Sequence, residues 1–194
     1  MLENLLWIVP VAAVLLAAAG WFAFRSKAGP ALPDSLRTGH PLPEFAAIDE
    51  DGNTVSSQQL LGSPTALFFV RGNWCPFCTR QAEELVGYYR KMTDLGAKIV
   101  FVTPKPVETT RRVAEFFKLE FDYWFDENLQ ASKQLGLLLP GGVPDSYRAE
   151  YDKDTMWPAT FIIDSDGIIR FAKLSRLIVD RPNPKELLRL LERL

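Results

Sequence analysis

Both cysteines of the 194-residue chain fall within the stretch Trp74-Cys75-Pro76-Phe77-Cys78. The thiolate is the nucleophile in sulfur chemistry. In a C-x-x-C pair at the first turn of a helix, unpaired N–H groups and the positive dipole end lower the attacking sulfur's pKa from about 8.5 toward roughly 3.5–7.5. The spacing predicts Cys75, at the helix start, as the more reactive and accessible sulfur. Cys78 follows one turn later on the same face, placed to attack a mixed disulfide at Cys75 and release its product. Pro76 suits the first helical position, where its missing N–H is not needed. Three plainer readings compete. A structural zinc site needs about four ligands, and beyond the two cysteines the chain offers only His40 as a further soft ligand. A staple across two intervening residues gains little loop entropy. Two buried, inert thiols form the third reading, because free Cys is among the most buried residue types. No metal or other cofactor is implied.

The elements around the motif follow from periodicity. Thr65–Arg71 is a continuous apolar run of strand length, as expected for a strand buried on both faces, and Ala97–Val102 is a second. Between them Cys75–Thr93 reads as one helix, with Leu85, Tyr88, Tyr89 and Met92 at helical spacing and Gly96 beyond its end. Val107–Leu119 predicts a further helix, Phe121–Phe125 a short strand and Asn128–Leu135 a short helix. Hairpin turns are marked at Glu50-Asp51-Gly52-Asn53 and at Ser165-Asp166-Gly167, the latter joining Ala159–Asp164 to Ile168–Lys173. Pro184–Leu194 closes the chain as a helix with a leucine stripe. Residues 136–157 lack a pattern. With Tyr147, Tyr151 and Trp157 they fit either a lid or docking loop near Pro158, or a solvated insertion. The order predicts an α/β fold, a central mixed sheet flanked by helices.

Charge excludes one class of function: a formal net charge of −2 without a basic stripe argues against a nucleic-acid partner. Leu5–Phe24 carries no charge, and 18 of its 20 residues are hydrophobic. At about 1.5 Å per helical residue it would span about 30 Å, a bilayer's hydrocarbon thickness. Glu3, the lack of Lys or Arg before the run, and its continuation past Ala17-Ala18-Ala19 argue against a cleaved signal peptide. The expectation is a single-pass membrane protein: residues 1–24 an anchor in the lipid bilayer, 25–43 a linker rich in Pro and Gly, and 44–194 the redox domain. Arg25, Lys27 and Arg37 weakly favour the cytoplasmic side for that domain, although long trailing domains translocate regardless of charge.

Three stretches carry a family resemblance: Val70-Arg71-Gly72-Asn73-Trp74-Cys75-Pro76-Phe77-Cys78, Trp157-Pro158-Ala159-Thr160-Phe161-Ile162-Ile163-Asp164, and Asp166-Gly167-Ile168-Ile169-Arg170. Over about residues 40–194 the chain resembles the thioredoxin-like redoxin superfamily, in its alkyl hydroperoxide reductase/thiol-specific antioxidant, peroxiredoxin-like branch. The resemblance implies a thioredoxin-like fold, with Cys75 attacking and Cys78 resolving. It also implies a cis proline facing the cysteines, whose neighbouring backbone docks an extended substrate. Pro158 matches that proline, Trp157 adjoins it, and Trp74 either shapes substrate access or is a plain core aromatic. The chain departs from the family where peroxide is activated. The family's Thr three residues before the attacking Cys is Gly72, its Arg just before the late strand is Pro158, and the buried acid of thioredoxins is replaced by Phe69. Arg71 either brings a cation to Cys75 and lowers its pKa, or is a solvated strand-end residue. The leading expectation is a membrane-tethered thiol–disulfide oxidoreductase acting on protein dithiols or disulfides. A thiol peroxidase reducing hydroperoxides through Cys75 is the alternative, and a redox-inert interaction module the third reading.

Overall fold

Two largely apolar runs, Thr65–Phe69 (β3) and Lys98–Thr103 (β4), pair in parallel at the centre of a seven-stranded sheet in the computed structural model. Residues 10–20, 29–104, 121–177 and 179–194 are described. The other strands of the sheet are β1 (Ala46–Ile48), β2 (Thr54–Ser56), β5 (Asp122–Phe125), β8 (Ala159–Ile163) and β9 (Ile169–Leu174). Their spatial order is β2-β1-β5-β4-β3-β8-β9. Strand β5 runs parallel to β4, while β8 lies antiparallel to β3 in the register Phe69↔Ala159 to Thr65↔Ile163. Both turns marked in the sequence join antiparallel neighbours, β1 to β2 and β8 to β9.

Strand side chains alternate between faces, so one sheet serves two cores. Leu67, Phe69, Val100, Val102, Trp124 and Phe161 point to one core, closed by Leu36, Phe45, Leu135 and Leu137. Ala66, Phe68, Ile99, Phe101, Tyr123 and Ile162 point to the other. That second core also holds both cysteines, and it is covered by helices α1 (Pro76–Val86), α2 (Tyr89–Asp94) and α5 (Pro184–Leu191). The short helices α3 (Gln130–Gln134) and α4 (Arg148–Tyr151) complete the described set in this unit. A mixed sheet with helices on its faces and the C-x-x-C at the end of β3 is a thioredoxin-like fold.

Several expectations change. The helix anticipated over Cys75–Thr93 is two helices. After Gly87 the Tyr88 N–H donates to Leu85 O at 2.9 Å, three residues back rather than four, which ends α1. The Val107–Leu119 helix lies outside the described residues. Residues 136–157 are not structureless: β6 (Leu138–Leu139) pairs with β7 (Thr155–Met156), and a 3₁₀ turn and α4 lie between them.

The contacts divide the chain into two compact units, Met1–Pro30 and Ala31–Leu194. In the first, residues 10–20 form a helix with exposed side chains. Among the described residues no helix is long and apolar enough to cross a membrane. The lipid-spanning segment expected over residues 5–24 is therefore corrected; residues 5–9 and 21–24 lie outside the described residues. In the second unit, part of the stretch read as linker lies against the β8–β9 hairpin, with Gly39 N–H donating to Ile169 O at 2.8 Å and Leu42 N–H to Gly167 O at 2.9 Å.

Phe68 is fully buried on β3 and stacks on Phe101 with ring centroids 5.0 Å apart. Phe68→Ala should lower the unfolding free energy by about 3–5 kcal/mol, measured by denaturant titration.

Candidate redox site

The chain leaves β3 at Phe69, turns through residues 70–74 and enters α1 with Cys75 as its N-cap and Pro76 at the first helical position. Cys75 O accepts from Cys78 N–H at 2.9 Å and from Thr79 N–H at 3.2 Å, which fixes the two sulfurs on one side of the first turn. Both thiols are free. The expected exposure of Cys75 is not found: it is 1% exposed and Cys78 5%.

Their protons are divided unequally. The Cys78 thiol donates to the Cys75 sulfur, and this outweighs the upward push of burial. With the Cys78 amide and the guanidinium charges of Arg71 and Arg181, it brings the Cys75 pKa down to about 6. Donating that same hydrogen bond, burial and the negative charge of Cys75 together hold Cys78 well above the ordinary thiol range. At neutral pH Cys75 is a thiolate and Cys78 a thiol. The partner thiol, rather than the helix amides alone, dominates the stabilisation.

Arg71 is not a solvated strand end. It is 5% exposed, and its charge favours the Cys75 thiolate. Its Nη2 donates to Gly142 O at 2.5 Å, and its Cζ lies 4.5 Å from the centroid of the Trp74 ring. The unpatterned stretch therefore reaches the site. Gly142 supplies the carbonyl, while Tyr147 stacks on Trp74 at 6.0 Å and Tyr151 meets its edge at 6.5 Å. The Tyr151 hydroxyl donates to Asn73 Oδ1, and burial pushes the phenol up to about 12, so it stays a donor. Thr155 Oγ1 donates to Arg71 O at 3.1 Å. Trp74 thus belongs to a roof over the Arg71 guanidinium.

Gly72 makes that roof possible. Its φ of +120° disfavours L side chains, and a Cβ would lie 2.7 Å from Tyr151 Cε1.

Pro158 is buried at the start of β8 beside the sheet end that carries the cysteines, but its peptide bond is trans, as are all those among the described residues. The free main-chain edge expected there is occupied: Ser175 N–H donates to Pro158 O at 2.8 Å and Trp157 N–H to Leu137 O at 2.6 Å. Trp157 packs against the first core, across the sheet from the cysteines, and is not brought to them. The sequence reading missed Arg181, in the loop between β9 and α5. Its Nη2 lies 3.5 Å from Cys78 Sγ. No local pattern marks a contact between residues 103 positions apart. Among the described residues no group of His, Cys, Asp and Glu is arranged to hold a metal ion.

This geometry agrees with the comparisons. Residues 38–172 match the AhpC/TSA family model, well over half of the chain, and the protein belongs to that family. A chloroplastic peroxiredoxin Q from Sedum lineare is 25% identical over 154 residues, covering 76% of each chain. The chain spans little more than half the length of several other plant peroxiredoxins Q. Among solved structures, the peroxidoxin BcpB of Mycobacterium tuberculosis superposes with a TM-score of 0.64 at 21% identity, over 81% of this chain and 97% of that one. Peroxiredoxin Q of Xanthomonas campestris does so with a TM-score of 0.58 at 15% identity, over 86% and 98%. Both likenesses speak for the fold. The expected single-pass membrane location, with its weak cytoplasmic bias, is overturned: the curated relatives are chloroplastic peroxiredoxins, and no spanning helix occurs among the described residues.

Two measurements check the site. The rate of Cys75 alkylation should rise with pH through a midpoint near 6, because protonation below it removes the nucleophile, and Arg71→Met should move that midpoint upward. Gly72→Ala should destabilise the domain by about 1–3 kcal/mol in urea titration, from backbone strain and the displaced Tyr151 ring.

Proposed function

We propose that the chain is a thiol peroxidase in which Cys75 reduces a hydroperoxide and Cys78 resolves the product. The observation that carries this reading is the paired protonation state: a Cys75 thiolate, a Cys78 thiol hydrogen-bonded to it, and guanidinium groups beside both. Disulfide exchange stood first in the sequence because the family's peroxide-polarising Thr and Arg are absent. Arg71 and Arg181 bring positive charge to the sulfurs from other positions, which removes that objection. The peroxiredoxin Q relatives support the same choice.

The thiolate attacks the terminal peroxide oxygen. An S–O bond forms, the O–O bond breaks, and the alkoxide or hydroxide leaves with the electron pair and takes a proton from water. Sulfur is oxidised to the sulfenic acid and the peroxide is reduced. The guanidinium of Arg71, always charged, stabilises the negative charge as it moves from sulfur to oxygen. Cys78 then closes the disulfide, and an external dithiol, the partner this cycle requires, returns both sulfurs to the reduced state by exchange.

One equivalent of hydrogen peroxide, added without thiol, should leave the protein with a Cys75–Cys78 disulfide, and Cys78→Ser with a Cys75 sulfenic acid that dimedone traps. With dithiothreitol present, peroxide loss should continue in the native protein and fall to the uncatalysed rate in Cys75→Ser. Peroxide loss that persists in Cys75→Ser overturns the reading.

A further inference from the structure

We propose that Arg181 stabilises the thiolate of Cys78 and so sets the speed at which the second sulfur closes on the oxidised first. The proposal rests on the redox reading above and assigns its second step. The loop that carries Arg181 is pinned at several points. Ser175 N–H donates to Pro158 O at 2.8 Å, Ser175 Oγ donates to Asp180 O, Lys173 pairs with Asp180 at 2.7 Å, and Asn183 caps α5 by accepting from Lys185 N–H at 2.9 Å. Those anchors bring Arg181 Nη2 to 3.5 Å from Cys78 Sγ. The outer side of the same residue lines a groove of about 270 Å³ with Phe77, Gln81 and Val179, so replacing it opens no sealed void.

Among the described residues, four titratable or charged groups face Cys78: Cys75 from the start of α1, Arg71 from the end of β3, Arg181 from the last loop, and the Tyr123 phenol from β5 across a small cavity. In the reduced pair, Cys75 holds the Cys78 proton in place by its charge and by accepting its hydrogen bond. Oxidation removes the charge, because a sulfenic acid is neutral. The guanidinium of Arg71 remains engaged with Gly142 and its charge is shared between both sulfurs, while the Arg71 amide also favours a Cys78 thiolate. Arg181, with its Nη2 3.5 Å from Cys78 Sγ, then stabilises the resolving thiolate most directly, and Cys78 becomes more acidic at the moment its nucleophilicity is needed. Cys78 attacks the Cys75 sulfur; the S–S bond forms and the S–O bond breaks. The departing hydroxide combines with the proton released by Cys78 to give water, so this step needs no further oxidant or reductant.

The test separates this role from peroxidase activity. In Cys75→Ser, or Cys75→Ala should the serine variant not fold, the alkylation rate of Cys78 is followed against pH. Adding Arg181→Met should raise its midpoint by about one pH unit, a tenfold smaller thiolate fraction below it, while Arg181→Lys should stay near the parent. With both cysteines present and one equivalent of hydrogen peroxide, Arg181→Met should slow disulfide closure about tenfold, with the dimedone adduct of Cys75 accumulating in the interval. An unmoved Cys78 midpoint, or closure at the parental rate, overturns the role of Arg181. If the native protein does not react with peroxide, the peroxidase reading falls and the Cys78 titration still decides this one.

Discussion

A guanidinium almost wholly removed from water governs the site. An isolated buried charge is prohibitive, and in practice such groups survive only when paired and hydrogen-bonded. Arg71 is compensated by the charge of the Cys75 thiolate, the Gly142 carbonyl and the face of Trp74, while its Nε is left without a partner among the described residues. Each partner constrains something else. The thiolate must persist at neutral pH, the loop through Gly142 must lie against the end of β3, and Trp74 must lie flat over the cation and in turn receives Tyr147 and Tyr151. Removal of any of them leaves a charge in a low-dielectric setting, so the loop and the cysteine chemistry form one electrostatic unit rather than a scaffold with a lid added.

The two sulfurs show how a single hydrogen bond sorts two identical groups into opposite roles. Helix position alone would favour the first cysteine. In the folded protein the larger effect is that Cys78 donates its proton to Cys75, which lowers one thiol and raises the other together. Acidity is therefore a property of the pair, and it must be redistributed once one member is oxidised.

The periodicity of the chain made much of the fold legible. Continuous apolar runs marked β3 and β4, Asp-Gly marked both hairpins, and the C-x-x-C after a buried strand marked the site. What stayed illegible depends on contacts distant in sequence. Arg181 is 103 positions from its sulfur, and Gly142 is 71 from Arg71; neither has a local signature. The stretch 136–157 looked patternless because its order comes from packing on Trp74 and from two-residue strands too short to show a period. The apolar run at the amino terminus suggested a membrane span, and among the described residues no helix is long and apolar enough to cross one. The expected cis proline is trans, and the main chain beside it is paired with Ser175 and Leu137.

The close approach of Tyr151 to Gly72 also limits which side chain that position can carry. A threonine at position 72, the residue that the family resemblance leads one to expect, would place its Cβ 2.7 Å from Tyr151 Cε1 on a backbone that disfavours branched side chains. The two positions are mutually exclusive in their present forms. A threonine introduced there alone would collide with the ring that closes the roof over Arg71.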